Sequence, residues 1–198
     1  MDGHVDPIDA FAKAAAAAVS AGAQNTAAAA SATPPPSPPP AVDPLAQPAL
    51  NALLSILNGK NDCSTFFDNG TPGSAAKILS STTVKVSDRD PRTEKGSSWK
   101  AGTTALAPQG GGANSTIWVN KNGAFFNAKG IIDFKVENLS VADGFTGGTL
   151  GTQVLALAHE TSHLVGIAKP DANNDPQGKA NTQQILDHCK TQIEALPH

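Results

Sequence analysis

Tyrosine is absent from this 198-residue chain, and aromatic residues make up only 5% of it. The single methionine is Met1, and there are two cysteines. A hydrophobic core must therefore be built from aliphatic side chains around seven phenylalanines and two tryptophans. The absence of tyrosine also excludes any functional site that depends on a phenolic hydroxyl.

Charged residues are sparse as well. Asp, Glu, Lys and Arg make up 16% of the chain, and the formal net charge is −3. No basic patch stands out, so the sequence argues against nucleic acid as a partner. No apolar run reaches the roughly 18 residues of a membrane-spanning helix. No G-x-S-x-G sequence indicates a serine hydrolase.

The N-terminal part has a composition unlike the rest. Residues 12–32 are dominated by alanine, and residues 34–40 read Pro-Pro-Pro-Ser-Pro-Pro-Pro. Proline at that density favours an extended spacer without a packed core. We therefore predict an Ala/Pro-rich disordered leader or spacer over residues 1–43 and one folded domain over residues 44–198. The short alanine run after Lys13 matches an export signal only weakly, because acidic residues precede it.

The two cysteines flank nearly the whole predicted domain. A Cys63–Cys189 disulfide would close a loop of about 125 residues, worth about 4–5 kcal/mol in the chain-entropy model. Two unrelated buried thiols are the alternative, as is a metal ligand contributed by the His188-Cys189 pair. A disulfide would fit a secreted or otherwise extracytoplasmic protein, with which the Gly-, Ser-, Thr- and Asn-rich composition is compatible.

Hydrophobic periodicity predicts a mixed order of helices and strands. We predict helices over 45–58, 73–79, 149–165 and 180–195, and strands over 82–86, 115–120 and near 134–136. Residues 62–67 are expected to form a packing corner, residues 87–113 a long loop, and residues 120–123 a hairpin-type turn. This order indicates an α+β fold in which a small mixed sheet packs on the helix over 149–165.

That helix carries the sequence His159-Glu160-Thr161-Ser162-His163. Residues i and i+4 lie on the same face of a helix, so His159 and His163 can bind one Zn²⁺ ion. Glu160 lies roughly 100° around the helix from His159. This offset suits a general base acting on water rather than a third metal ligand.

The H-E-x-x-H motif resembles that of the zincin metallopeptidases. In the metzincin branch the pattern continues to H-E-x-x-H-x-x-G-x-x-H, and this chain matches it through Gly166. Lys169 then stands where the third histidine is expected, and a protonated lysine has no lone pair to offer. The methionine turn of metzincins is also absent, since Met1 is the only methionine. The resemblance is therefore to a divergent zincin site.

The third ligand must come from elsewhere, because a catalytic zinc site has three protein ligands and one open position. Gly166 can turn the chain back toward the helix end, which makes Asp171 the first candidate and Asp175 the second. Snapalysin-like zincins use an aspartate after such a glycine, two residues earlier than Asp171. His188 is the third candidate. Alternatively, Asp171 is a turn residue and Asp175 is a helix N-cap residue, with no role in metal binding.

The wider layout resembles uncharacterised secreted bacterial proteins that pair an early cysteine with a late H-E-x-x-H motif and a final cysteine. The matching pieces here are Cys63, Phe66-Phe67, Pro170-Asp171, Asn181-Thr182-Gln183 and Cys189. The zincin resemblance implies a minimal zincin-like fold whose edge strand pairs with an extended substrate. Residues 115–120 are the candidate for that strand.

The resemblance implies zinc-dependent peptide-bond hydrolysis of a peptide or protein substrate, with Glu160 as general base and His159, His163 and Asp171 as metal ligands. With no tyrosine available, the oxyanion donor would be His188, His198 or a backbone N–H group, or the site would have no such donor. The alternative is a non-catalytic extracytoplasmic module that binds zinc or a partner. A purely structural zinc site has no need of Glu160, and usually has four closed ligands.

Overall fold

A computed structural model describes residues 40–69, 71–93, 97–99, 102–128, 145–171 and 176–197. Within these ranges the helices are α1 (Gln47–Asn58), α2 (Asp62–Asp68), α3 (Ser74–Ser80), α4 (Leu150–Leu164) and α5 (Pro176–Glu194). The strands are β1 (Thr83–Ser87), β2 (Ala105–Leu106) and β3 (Thr116–Asn120). The predicted α+β class is confirmed. Most of the predicted leader and the strand near 134–136 lie outside the described residues.

Helix α4 is the central element of the fold, as the sequence pattern predicted. Eleven of its fifteen residues are buried, and it contacts α1, α5 and β2. The helix begins after Thr149, whose side-chain oxygen accepts a hydrogen bond from the backbone N–H of Thr152. This cap satisfies one of the free N–H groups at the start of the helix. The H-E-x-x-H motif occupies the last turns of α4 and is therefore held by a well-packed scaffold.

The predicted packing corner at residues 62–67 is instead the short helix α2. Asn61 accepts a hydrogen bond from the backbone N–H of Ser64, and Ser64 Oγ accepts one from the backbone N–H of Asn61. This reciprocal pair is a capping box, which stabilises a helix start. The fold therefore gains a helix that presents buried Cys63 toward α5.

The three strands form one sheet in the order β1-β3-β2. Strand β3 pairs in parallel with β1, with Ile117 opposite Val84, and antiparallel with β2, with Val119 opposite Ala105. The prediction that residues 115–120 form an edge strand is therefore wrong, because β3 is the central strand. Among the described strands the edges are β1 and β2, and β2 lies within the predicted long loop. A two-residue strand carries too little periodicity to be seen in the sequence.

The predicted disulfide between Cys63 and Cys189 is confirmed and joins α2 to α5. Both residues are fully buried. The alternative that His188-Cys189 supplies a metal ligand is thereby wrong for Cys189. Within the described part of the chain, no helix is long and apolar enough to cross a membrane.

Candidate metal centre

The two histidines of the motif converge at the C-terminal end of α4. Their Nε2 atoms lie 3.2 Å apart, and their rings are inclined at 67°. This convergence follows from the i, i+4 spacing, which places both side chains on one helix face. The two imidazoles therefore converge on one position, and the binding of Zn²⁺ by His159 and His163 stays a prediction.

The chain turns back at Gly166, as predicted. Gly166 has φ 76°, a left-handed conformation that glycine adopts without steric cost. The backbone N–H groups of Ile167 and Ala168 both donate to the carbonyl of Ser162, at 3.1 and 3.2 Å. These bonds close the helix end and direct the following residues across the histidine face.

Asp171 follows this turn and completes a group of three donor atoms. Its Oδ2 atom lies 3.1 Å from Nε2 of His159 and 3.3 Å from Nε2 of His163. Ligand atoms held at about 2.0–2.1 Å by a tetrahedral Zn²⁺ ion are about 3.3–3.4 Å apart. The three separations of 3.1, 3.2 and 3.3 Å fit one face of such a site. The residues thus form a group that could hold a metal ion.

His188, the third candidate ligand, is not part of this group. His188 stacks on Phe66, with ring centroids 4.5 Å apart and an interplanar angle of 12°. Asp175 lies outside the described residues, as does His198, one of the candidate oxyanion donors. Among the described side chains, only His159, His163 and Asp171 form a cluster that could hold a metal ion.

Each histidine is held by a partner on its Nδ1 atom. Nδ1 of His159 lies 2.9 Å from Oγ1 of Thr182, whose hydroxyl donates to the carbonyl of Gly178. Nδ1 of His163 lies 2.8 Å from Oε1 of Gln109. Both partner oxygens are positioned to accept, so Nδ1 of each ring is placed to donate. Loss of any proton from Nε2 would then leave its lone pair directed at the shared position, as a metal site requires.

Asp171 also has a partner that fixes its position. The Nδ2 group of Asn181 donates to Asp171 Oδ2 at 2.7 Å and to the carbonyl of Lys169 at 2.9 Å. Lys169 occupies the position at which the metzincin pattern has its third histidine. This lysine is exposed. Asn181 is only 3% exposed, and its hydrogen bond to Asp171 is partly buried.

Glu160 is buried beside the histidines, with 7% of its surface exposed. Burial raises the pKa of Glu160, although the charges of His159 and His163 and a hydrogen bond from the backbone N–H of Ala107 oppose the shift. Ala107 directly follows β2. The carboxylate of Glu160 is therefore anchored at the end of the edge strand. Its raised pKa favours proton acceptance over permanent ionisation.

The charges of the cluster influence one another strongly. Burial would raise the pKa of Asp171, but hydrogen bonds from His159, His163 and Asn181 outweigh it and hold that pKa well below its usual value. Burial would lower the pKa of His159, but the hydrogen bond that its ring donates to Asp171 and the charges of Glu160 and Asp171 raise it. Without a metal, a proton on His159 is therefore stabilised beside Asp171.

One further charged pair lies within electrostatic range of the site. Arg92 donates from Nε to Oδ1 of Asp90 at 3.0 Å and from a terminal nitrogen to Oδ2 at 2.6 Å. This bond with Asp90 raises the pKa of Arg92, and the charge of Glu160 adds to the increase. Nothing in the local sequence around Arg92 indicated this proximity, because it depends on tertiary packing.

Sequence reasoning missed the residues that hold the ligands. Gln109 lies in the predicted long loop and carries no motif. Asn181 and Thr182 stand out in the sequence only as part of the layout that resembles secreted bacterial proteins. No protein-family model, curated protein or solved structure matches the chain. Assignment of the site therefore depends on its geometry and chemistry.

Proposed function

We propose that the protein is a zinc-dependent peptidase of the zincin type, secreted or otherwise extracytoplasmic. The observation that carries the proposal is the triangle of two imidazole nitrogens and one carboxylate oxygen with sides of 3.1–3.3 Å. A buried carboxylate, Glu160, directly follows the first histidine. Two histidines and one carboxylate with an open fourth position form the ligand set of catalytic zinc in several metallopeptidases.

His159, His163 and Asp171 would hold the ion. When bound, zinc would supply a Lewis acid that lowers the pKa of water from 15.7 to about 7 and polarises the scissile carbonyl. Glu160 would accept a proton from the attacking water and later deliver it to the leaving amine. Burial of Glu160 supports this role, because a raised pKa suits a group that both gains and loses a proton near neutral pH.

The position of β2 at the edge of the sheet supports a binding path for an extended substrate. The carbonyl of Thr104 accepts a hydrogen bond from the backbone N–H of Asn120 in β3. Backbone groups alternate in direction along a strand, so those of Ala105 and Ala107 are directed away from β3. The N–H of Ala107 reaches Glu160. Among the described residues no strand pairs with this outer edge of β2, and an extended peptide could add there beside Glu160.

The disulfide is relevant to the cellular location of the protein. A buried Cys63–Cys189 bond is typical of proteins that fold in an oxidising compartment. This supports an extracytoplasmic location, in which the substrates would be extracellular or envelope peptides and proteins. Separation of periplasm, medium and cytosol from the producing cell, followed by detection of the oxidised chain, would locate it; a reduced chain confined to the cytosol would contradict this part of the proposal.

The activity can be tested on the full chain with a mixture of unstructured peptides. Zinc is removed with a chelator and restored in one equivalent, and new peptide ends are identified by mass spectrometry. We expect cleavage only with restored zinc, and no cleavage by His163→Ala, which lacks a ligand. Zinc binding without cleavage of any peptide would contradict the proposal and favour a non-catalytic zinc module.

A further inference from the structure

Two adjacent residues of α5 contact two of the three candidate ligands. Asn181 donates to Asp171 Oδ2 at 2.7 Å, and Thr182 Oγ1 accepts from Nδ1 of His159 at 2.9 Å. Both residues are buried. Since α5 follows the ligands in the chain, neither contact is part of the H-E-x-x-H helix or of the turn at Gly166.

Both the nitrogen and the oxygen of the Asn181 side-chain amide form hydrogen bonds. Its two N–H groups go to Lys169 and Asp171, and its Oδ1 accepts from Gln177 at 2.9 Å. Asn181 therefore closes the segment from residue 169 to residue 171 and presents one oxygen of Asp171 to the histidines. A side chain without an amide would leave buried polar groups unpaired, which is costly.

The hydroxyl group of Thr182 fixes the orientation of the His159 ring. Its hydroxyl hydrogen is committed to the carbonyl of Gly178 at 3.0 Å, so its oxygen is available only as an acceptor. Partners of this kind orient metal-bound histidines, and their loss typically weakens metal binding by about 10- to 100-fold.

Helix α5 is itself anchored by the disulfide. Cys189 lies seven residues after Thr182, about two helical turns along the same face, and Ile185 and Leu186 are buried between them. The bond to Cys63 fixes this face of α5 against α2. The disulfide and the metal ligands are thus connected through one rigid helix.

We propose that Asn181 positions Asp171 as the third ligand, that Thr182 positions the ring of His159, and that the Cys63–Cys189 disulfide raises metal affinity by holding Asn181 and Thr182 in place. The inference rests on the proposed metal centre but not on hydrolysis. The coupling is reciprocal, so metal binding also favours the helix position in which the disulfide forms.

The first experiment measures Zn²⁺ affinity of the full oxidised chain by competition with a chromophoric chelator. Thr182→Val and Asn181→Leu preserve size but remove the hydrogen bonds, and each should weaken binding about 10- to 100-fold. Thr182→Ser keeps the hydroxyl and should bind within a few-fold of the unaltered chain. Thr191→Val, at an exposed position of the same helix, is the matched control and should bind normally.

A spectrum separates positioning from a general loss of structure. With Co²⁺ in place of Zn²⁺, the intensity and position of the visible bands report ligand geometry. Thr182→Val and Asn181→Leu should change these bands while far-ultraviolet circular dichroism stays constant. Unchanged zinc affinity and unchanged Co²⁺ bands in both variants would overturn the assignment of positioning residues.

The second experiment tests the connection to the disulfide. The Cys63→Ala/Cys189→Ala variant should bind Zn²⁺ at least several-fold more weakly than the oxidised chain. Thr182→Val should cost less affinity in this background than in the oxidised one, because the positioning is already loosened. Equal zinc affinity with and without the disulfide would overturn this part. Since every readout is metal binding, a lack of peptidase activity would count against the proposed function and not against this inference.

Discussion

Asp171 Oδ2 lies 3.1 Å from Nε2 of His159, although twelve residues separate them in the chain. The same oxygen accepts a hydrogen bond from Asn181 at 2.7 Å. A carboxylate from beyond the Gly166 turn thus takes the place that Lys169 leaves empty. The group that could hold a metal ion therefore depends on three segments: the end of α4, the turn after it and the start of α5.

Replacement of Asp171 by alanine should weaken Zn²⁺ binding by more than about 100-fold, because loss of a ligand should exceed the 10- to 100-fold cost of losing a supporting contact. Asp187→Ala is the control, since Asp187 is an exposed carboxylate on α5 that accepts a hydrogen bond from Gln183 at 2.8 Å. Isothermal titration with Zn²⁺ would measure both. Equal affinities for the two variants would exclude Asp171 as a ligand.

Replacement of Gly166 by alanine should act on both stability and metal binding. A side chain at φ 76° costs about 1–2 kcal/mol, even though a Cβ atom there would meet nothing within 4 Å. Gly73 has the same φ and the same open surroundings, so Gly73→Ala should show a similar loss in the free energy of unfolding. Only Gly166→Ala should also weaken Zn²⁺ binding, because its turn positions Asp171. A normal zinc affinity in Gly166→Ala would show that the turn does not position the ligand.

The metal-free protein should become less stable as the pH rises from about 5 to about 8. His159 has a folded pKa above the usual value of about 6.5, so its contribution is complete below pH 6.5 and is lost as the pH rises through the raised pKa. Glu160 also has a raised pKa, so its contribution is present below about pH 4.3 and is lost as the pH rises through the folded value. The depressed pKa of Asp171 matters only in strong acid.

Thermal unfolding in a chelator at several pH values would measure this trend. His159→Gln removes the imidazole and should show a shallower fall in midpoint. Excess Zn²⁺ should reverse the trend, since the metal binds deprotonated histidines. A midpoint that rises with pH in the chelator would contradict the charge arrangement described for the cluster.

The disulfide should be the largest single covalent contribution to stability. It joins residues 126 positions apart, and closing a loop of that size contributes about 4–5 kcal/mol in the chain-entropy model. Denaturant unfolding of the Cys63→Ala/Cys189→Ala variant should show a loss of this order relative to the oxidised chain. A loss below about 1 kcal/mol would mean that the unfolded chain is already restricted or that the bond strains the fold.

The sequence was most informative where one short pattern specifies one local geometry. The i, i+4 histidines, the helix over 149–165 and the turn at Gly166 all follow from local rules, and the structure places them as predicted. The partner of Cys63 was also predictable, because the chain offers only one other cysteine.

Contacts between segments that are far apart in the chain could not be predicted from local sequence patterns. Gln109 reaches His163 across 54 positions, and no local pattern marks it. The capping box at Asn61 stabilises helix α2, where the sequence pattern predicts only a packing corner. Strand β2 has only two residues, and its place at the edge depends on which strand pairs with β3.

The central claim is that Glu160 acts as a base at a zinc centre formed by His159, His163 and Asp171. The most direct test compares peptide hydrolysis by the unaltered chain and by Glu160→Gln, each carrying one equivalent of Zn²⁺. Glu194→Gln, at an exposed position of α5, is the control. We predict that Glu160→Gln keeps the metal but loses about 10²- to 10⁴-fold in rate, while Glu194→Gln is unaffected. Equal rates at equal zinc content would contradict the account.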